Sequence, residues 1–150
     1  MGLKEKLQSD LTEAIRSRAE VNAGTIRMLL AAITTEEVSG KSARVLTDTE
    51  VITVLSREAK KRREAVEAYV AAKRTDLAYK EKAECDVISG YLPAQLSEDE
   101  IKKMIADSIA ETVASGPAGM GQVMKVLSPK IAGKADGGLV SGLVKAALGQ

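Results

Sequence analysis

Leu3-Lys-Glu-Lys-Leu7-Gln-Ser-Asp-Leu11-Thr-Glu-Ala-Ile15 puts an apolar residue at every fourth position and separates them mainly with polar and charged ones. Side chains four apart share one face of a helix, so this spacing predicts an amphipathic helix with a single apolar stripe. The same period continues downstream. Ile26, Leu29, Leu30 and Ile33 follow i, i+3, i+4, i+7, the pattern of a core-facing helix, and Ser39-Gly40 marks its end with Gly40 as the residue after the cap. Thr47-Asp-Thr-Glu50 has the form of a capping box and opens a third helix through Val51, Leu55, Val66 and Val70 to about Ala72. Thr75-Asp76 is read as the cap of a fourth, which carries Leu77, Ala78, Val87, Ile88, Tyr91 and Leu92 until Pro93 stops it.

From Pro93 onward the composition changes, with all three prolines and eight of the twelve glycines in the remaining stretch. A second capping box, Ser97-Glu-Asp-Glu100, begins a helix with Ile101, Met104, Ile105, Ile109 and Val113 on one face. Ser115-Gly-Pro-Ala-Gly119 breaks it. A short helix with Met120, Val123, Met124 and Leu127 inward is expected to end at Ser128-Pro129, followed by a glycine-rich connection over 131–138. Asp136 then caps a last helix bearing Leu139, Val140, Leu143, Val144 and Leu148. No strand pattern and no fixed-period repeat emerges. The sequence predicts an all-α fold, with four helices in an N-terminal domain (1–92) and three in a small tail domain (94–150).

The composition supports that class and excludes much chemistry. The chain is 150 residues long and 45% hydrophobic, long enough to bury roughly 68–70% of its unfolded surface. Its apolar atoms come from aliphatic residues and methionine, with no Phe or Trp, a composition that suits helices over strands. With no histidine, there is no imidazole base, Ser-His-Asp triad or histidine metal ligand. The lone Cys85 builds neither a disulfide nor a multi-cysteine zinc site, and it reads as a small core hydrophobe. No metal, cofactor or catalytic residue is expected. The N-terminal segment has no apolar signal-peptide core, and no run approaches the roughly 20 apolar residues of a membrane span. These features give a cytoplasmic expectation with no membrane partner.

Two phosphate-loop resemblances fail. Gly40-Lys41-Ser42 has Thr35 where the motif requires its first glycine, and Gly119-Met-Gly121 has Met124 where a dinucleotide fingerprint requires its third. The basic run Lys60-Lys-Arg-Arg63 reads as a solvated helix face, because Glu58–Arg62, Lys60–Glu64 and Arg63–Glu67 stand at i, i+4. Arg57, Lys61 and Arg74 lack such neat partners, which leaves two readings open: a solvated structural face, the favoured one, and a secondary basic patch for phosphate. Tyr69, Tyr79 and Tyr91 are too widely spaced for a base-stacking platform and are expected to fill helix interfaces, as are the methionines.

The net charge of +1 conceals an uneven distribution. Residues 93–115 carry a net −3, whereas residues 116–150 carry Lys125, Lys130, Lys134 and Lys145 against Asp136 alone, a net +3. Two helices starting at glycine-rich segments, with Gly119, Gly121 and Gly137 near those starts, offer backbone N–H groups and partial positive charge to an anion. The same glycines are also explained by tight helix–helix turns, and residue-level physics leaves both readings open.

Gly119-Met-Gly-Gln-Val-Met124, Gly133-Lys-Ala-Asp-Gly137 and Leu139-Val-Ser-Gly-Leu-Val144 resemble the tail domain of the GatB/YqeY family. Thr25-Ile-Arg-Met-Leu-Leu-Ala-Ala32, Arg57-Glu-Ala-Lys-Lys-Arg-Arg63 and Tyr91-Leu-Pro-Ala-Gln-Leu96 are similar to stretches of YqeY-like proteins, so the resemblance runs in order along almost the whole chain. It implies a stand-alone YqeY-like protein whose tail is shared with the B subunit of the tRNA-dependent amidotransferase. That enzyme amidates glutamyl- or aspartyl-tRNA, and there the tail helps recognise the tRNA body. The resemblance implies tRNA as partner, or an amidotransferase or aminoacyl-tRNA complex, and a place in translation rather than on DNA. The expected function is tRNA recognition linked to amidation, with Lys125, Lys130, Lys134 and Lys145 and the three glycines as contacts. The alternatives are a protein-interaction module without RNA, and a partner with carbon–nitrogen ligase activity, glutamine as amido donor, only within a complex. No nucleophile–base constellation supports activity in the chain alone.

Overall fold

The apolar period is realised, in a computed structural model that describes residues 2–112 and 116–149, as helices throughout. They are α1 (Leu3–Arg16), α2 (Glu20–Glu37), α3 (Asp48–Ala71), α4 (Thr75–Ser89), α5 (Glu98–Thr112), α6 (Met120–Ile131) and α7 (Gly137–Ala147), with a 3-10 turn over Pro117–Gly119. No strand occurs among the described residues. Val113 and Ser115, assigned above to a helix face and its break, lie outside them. The chain divides into two compact units, Met1–Leu92 and Pro93–Gln150.

In the first unit, Leu7, Ile26, Leu29, Ile33, Leu55 and Ile88 bring α1 to α4 onto one core, and none is more than 2% exposed. Burying each such side chain stabilises the unit by about 1.5–3 kcal/mol. Leu3 and Leu11 pack against this core, but Ile15 is 52% exposed. A four-residue repeat drifts about 40° per step on a helix of 3.6 residues per turn, and by Ile15 the stripe has rotated off the core. The α3 start is capped as expected, with Thr47 Oγ1 accepting from the Glu50 N–H and the Glu50 carboxylate accepting from the Thr47 N–H.

Several boundaries differ from expectation. Helix α2 ends at Glu37 with Val38 as its cap, and Gly40 does not take the left-handed conformation. That conformation falls instead on Arg18 and Lys73, both at φ 59°. After α1 the Arg18 and Ala19 N–H groups donate to the Ile15 and Ala14 carbonyls; after α3 those of Lys73 and Arg74 donate to Val70 and Tyr69. Both are Schellman terminations built without glycine. The α4 cap is Arg74 rather than Thr75, and Asp76 sits inside the first turn, paired with the Arg74 guanidinium at 3.3 Å.

In the second unit, Ile101, Ile105, Val123, Leu127, Ile131, Val140 and Val144 close the core between α5, α6 and α7. Helix α6 does not stop at Ser128-Pro129 but continues through Pro129 to Ile131. Proline removes one N–H from the last turn, while Ile131, only 5% exposed, gains core contact by remaining helical. Ser97 and Glu100 exchange their capping bonds at 3.2 Å each.

Candidate nucleic-acid interface

Packing fixes which tail residues face outward. Val123 and Leu127 are buried, so Lys125, two residues from each, falls on the opposite side of α6 and is exposed. Lys130, Lys134 and Lys145 are exposed as well. Gly121 and Gly137 are exposed, a Cβ built on either meets nothing within 4 Å, and neither has positive φ. Helix packing and backbone conformation therefore do not demand glycine at these two positions. The tight-turn explanation does hold at Gly116 and Gly133, with φ 64° and 74°.

The candidates do not converge on one pocket. Helix α6 is about 18 Å long at 1.5 Å per residue, which separates Gly119 and Gly121 at its start from Lys130 in its last turn and Lys134 beyond it. Lys130 lies 3.8 Å from the Glu111 carboxylate. Lys134 sits in the connection to α7, pinned where its carbonyl accepts from the Leu96 N–H at 2.9 Å and the Gly133 carbonyl accepts from Gln95 Nε2 at 2.8 Å. Lys145 occupies the last turn of α7. The picture of two open helix starts is corrected. Gly119 is buried with its N–H bonded to the Gly116 carbonyl at 3.1 Å, and at α7 the Asp136 carboxylate accepts from the Gly138 N–H at 3.2 Å. That carboxylate places its own negative charge where an anion would approach the helix end.

The secondary patch also changes. Arg57 pairs with Glu36 across α2 and α3 at 3.0 Å, Lys61 with Glu58 at 3.1 Å, and Arg74 with Asp76 at 3.3 Å. The Arg74 hydrogen bond, followed by that of the Leu77 N–H, holds the Asp76 carboxyl below the usual carboxylate range. Arg57 and Lys61 share a cleft between α2 and α3, whereas Arg74 stands beyond the far end of α3.

Arg62 is not on a solvated face. Its Nε lies 3.2 Å from Glu84 and 3.4 Å from Glu81, its Nη2 is 3.7 Å from Glu58, and it also meets Met28 Sδ. Tyr79 does not fill an interface either: it is 76% exposed. Tyr91 does, with its hydroxyl donating to Asp10 at 2.6 Å and the Lys6 ammonium 5.3 Å from its ring centre. The bonds from Lys6, then Tyr91, lower the Asp10 carboxyl, while burial and Asp10 raise the Tyr91 phenol. Cys85 is half-buried with Sγ 3.8 Å from the Ala59 carbonyl.

Among the described residues, no cluster of three or more acidic or cysteine side chains could hold a metal ion, and no helix is long and apolar enough to cross a membrane.

The family described as Yqey-like protein matches residues 4–148. Altered inheritance of mitochondria protein 41, mitochondrial, of Pyrenophora tritici-repentis is 31% identical over 133 residues, 87% of this chain and 71% of that protein. An uncharacterized protein of Schizosaccharomyces pombe is 33% identical over 96 residues, 63% of this chain and 76% of its own length. The Candida glabrata protein bearing the same name as the first is 29% identical over 96 residues, 62% of this chain and 53% of its length. Names that end in "mitochondrial" overturn the cytoplasmic expectation. That expectation rested on the lack of an apolar leader, whereas mitochondrial transit segments are amphipathic and Arg-rich. With the match covering nearly its whole length, the chain belongs to the YqeY-like family.

Proposed function

We propose that this chain is an accessory tRNA-recognition protein linked to tRNA-dependent amidation, contacting tRNA phosphates through residues 117–150. The observation that carries the reading is the outward surface of the tail unit, where exposed Lys125, Lys134 and Lys145 accompany Gly121, a glycine that no internal contact requires. A bare backbone admits a phosphate closer than a side chain would, and ammonium groups supply affinity without reading base identity. Lys130, close to Glu111, contributes less. The surface reads tRNA by shape, and its affinity falls steeply with salt. No residue of the chain is assigned ligase chemistry. The names of the relatives make mitochondrial tRNA the first pool to examine.

A filter-binding titration with tRNA tests this. Lys125→Ala/Lys134→Ala/Lys145→Ala is expected to weaken binding at least tenfold and to reduce the log–log salt slope by about 2–3. An unchanged affinity and slope would sink the reading.

One observation favours a protein partner instead. Ile105, Ala106, Ile109, Leu143 and Ala147 line an apolar groove of about 290 Å³ between α5 and α7, with Lys102 at its edge. That reading predicts partner capture from nuclease-treated lysate that is indifferent to salt and to the three lysine changes.

A further inference from the structure

The second half of α3 and the first half of α4 form a two-helix arm, and its composition differs from the unit that bears it. No apolar residue between 60 and 84 belongs to the core cluster of the first unit or to the hydrophobics packed against it. At 1.5 Å per residue, the α3 part of this arm runs about 18 Å beyond Ala59, the last core position on that helix. Residues 60–84 hold eight basic and five acidic side chains, a net +3, whereas the rest of 1–92 holds eight basic and ten acidic, a net −2. The arm is thus as positive as the tail, on an acidic base. Along it, Arg63, Lys73 and Lys80 are exposed and make no ion pair among the described residues; Lys73 stands at the reversal and Arg63 about 6 Å beyond Ala59. Tyr79, next to Lys80 in the chain, is 76% exposed, and Val70 on α3 is 61% exposed.

We infer that the arm is an RNA-binding site in which Tyr79 stacks on an unpaired base while Arg63, Lys73 and Lys80, spread along the arm, take phosphates of the same strand. A solvent-facing aromatic ring with uncompensated cations fits the two chemistries of single-stranded nucleic acid, π-faces and backbone charge. A membrane surface would need a broad apolar face, and the arm has only Val70 and Tyr79 as large exposed apolar residues. Only one tyrosine is involved, so the site takes a single stacked base rather than a platform of several. The choice of RNA rests on the tRNA reading above, but the site lies on a different unit from the tail lysines.

Fluorescence anisotropy of the full chain with a labelled oligouridylate and with a tRNA transcript tests this. Tyr79→Ala is expected to weaken both about tenfold without changing the salt slope, and Tyr79→Phe to stay within about twofold of wild type. Lys73→Gly/Lys80→Ala lowers the slope by about 1.4–1.8; glycine at 73 removes the charge while suiting the left-handed backbone there. All of these side chains are exposed, so circular dichroism should remain that of the wild type. The tail lysine variant is run in parallel. Loss of tRNA binding there alone, with both arm variants binding like wild type, overturns the arm site and leaves the tail reading standing. Loss in the arm variants alone does the reverse. Retention in all of them overturns both. Tyr79-dependent binding to phosphatidylcholine–phosphatidylserine vesicles, with RNA affinity unmoved, also overturns the arm site.

Discussion

Replacing Arg62 by methionine tests how the α3–α4 hairpin is held together. The guanidinium faces Glu84 at 3.2 Å, Glu81 at 3.4 Å and Glu58 at 3.7 Å, and the four side chains are only 12–21% exposed. Exposed ion pairs contribute about 0–1 kcal/mol, whereas removing one partner from a buried set costs about 3–5 kcal/mol because a desolvated charge is stranded. Here three carboxylates would share a half-dry site, although Glu58 keeps Lys61 at 3.1 Å. The loss should fall between the two limits, at about 2–4 kcal/mol, a large fraction of a domain stability on the order of 5–15 kcal/mol. At about 4–8 °C per kcal/mol for a unit of this size, Arg62→Met should lower the melting transition of the first unit, measured in the full chain, by about 8–32 °C in calorimetry. Arg62→Lys should fall between, since an ammonium cannot span the carboxylates as a planar fork does. The decisive control adds Glu81→Gln and Glu84→Gln to Arg62→Met. With the stranded charges removed, more than half of the lost stability should return. A single variant that melts within about 3 °C of wild type refutes the argument, and absence of rescue assigns the effect to Arg62 packing on Met28 rather than to charge.

Arg18→Gly and Lys73→Gly should each raise stability by about 0.5–1 kcal/mol in urea titration, because glycine adopts φ 59° without the Cβ clash. Tyr91→Phe removes the donor to Asp10 and should cost about 1 kcal/mol at neutral pH. Since the folded state lowers the Asp10 pKa, its contribution is present above the unfolded value of about 3.9 and is lost as pH falls through the folded one; urea melts between pH 2 and 7 should show a shallower acid limb in the variant. Gly121→Ala and Gly142→Ala enter open space at ordinary helical φ, so each should stabilise the tail unit by up to about 1 kcal/mol in calorimetry.

Helix count and type were legible because apolar spacing is a local signal, and it survives packing wherever the stripe is short. It failed at Ile15, where the repeat drifts, and at Pro129, where the Ile131 contact lies beyond the expected stop. Chain reversals at Arg18 and Lys73 were hidden because a left-handed residue other than glycine leaves no mark in composition. Arg62 was misread for a different reason: its i, i+4 partner Glu58 is real, but Glu81 and Glu84 are about twenty residues away. The signal was available in the hairpin symmetry. A reversal centred on Lys73 sets residues 62 and 84 eleven positions to either side, and an antiparallel pair of helices brings such residues together. Tyr79 carried no comparable signal, because exposure of one aromatic depends on which face of α4 meets α3.

The tail glycines pose the sharper question. Glycine inside a helix costs about 1 kcal/mol relative to alanine, and α6 and α7 carry this cost at Gly121 and Gly142, where nothing in the fold approaches within 4 Å. A sequence shaped by stability alone would hold alanine there. Lys125 follows Gly121 by four residues and Lys145 follows Gly142 by three, so each glycine shares a helix face with an exposed cation. If that bare surface admits a phosphate backbone, the alanine variants that stabilise the fold should also weaken tRNA binding, by steric exclusion and with no change in salt slope, since no charge is lost. A gain in stability with unaltered tRNA affinity would leave these glycines without a binding role and would remove half of the case for the tail as the recognition surface.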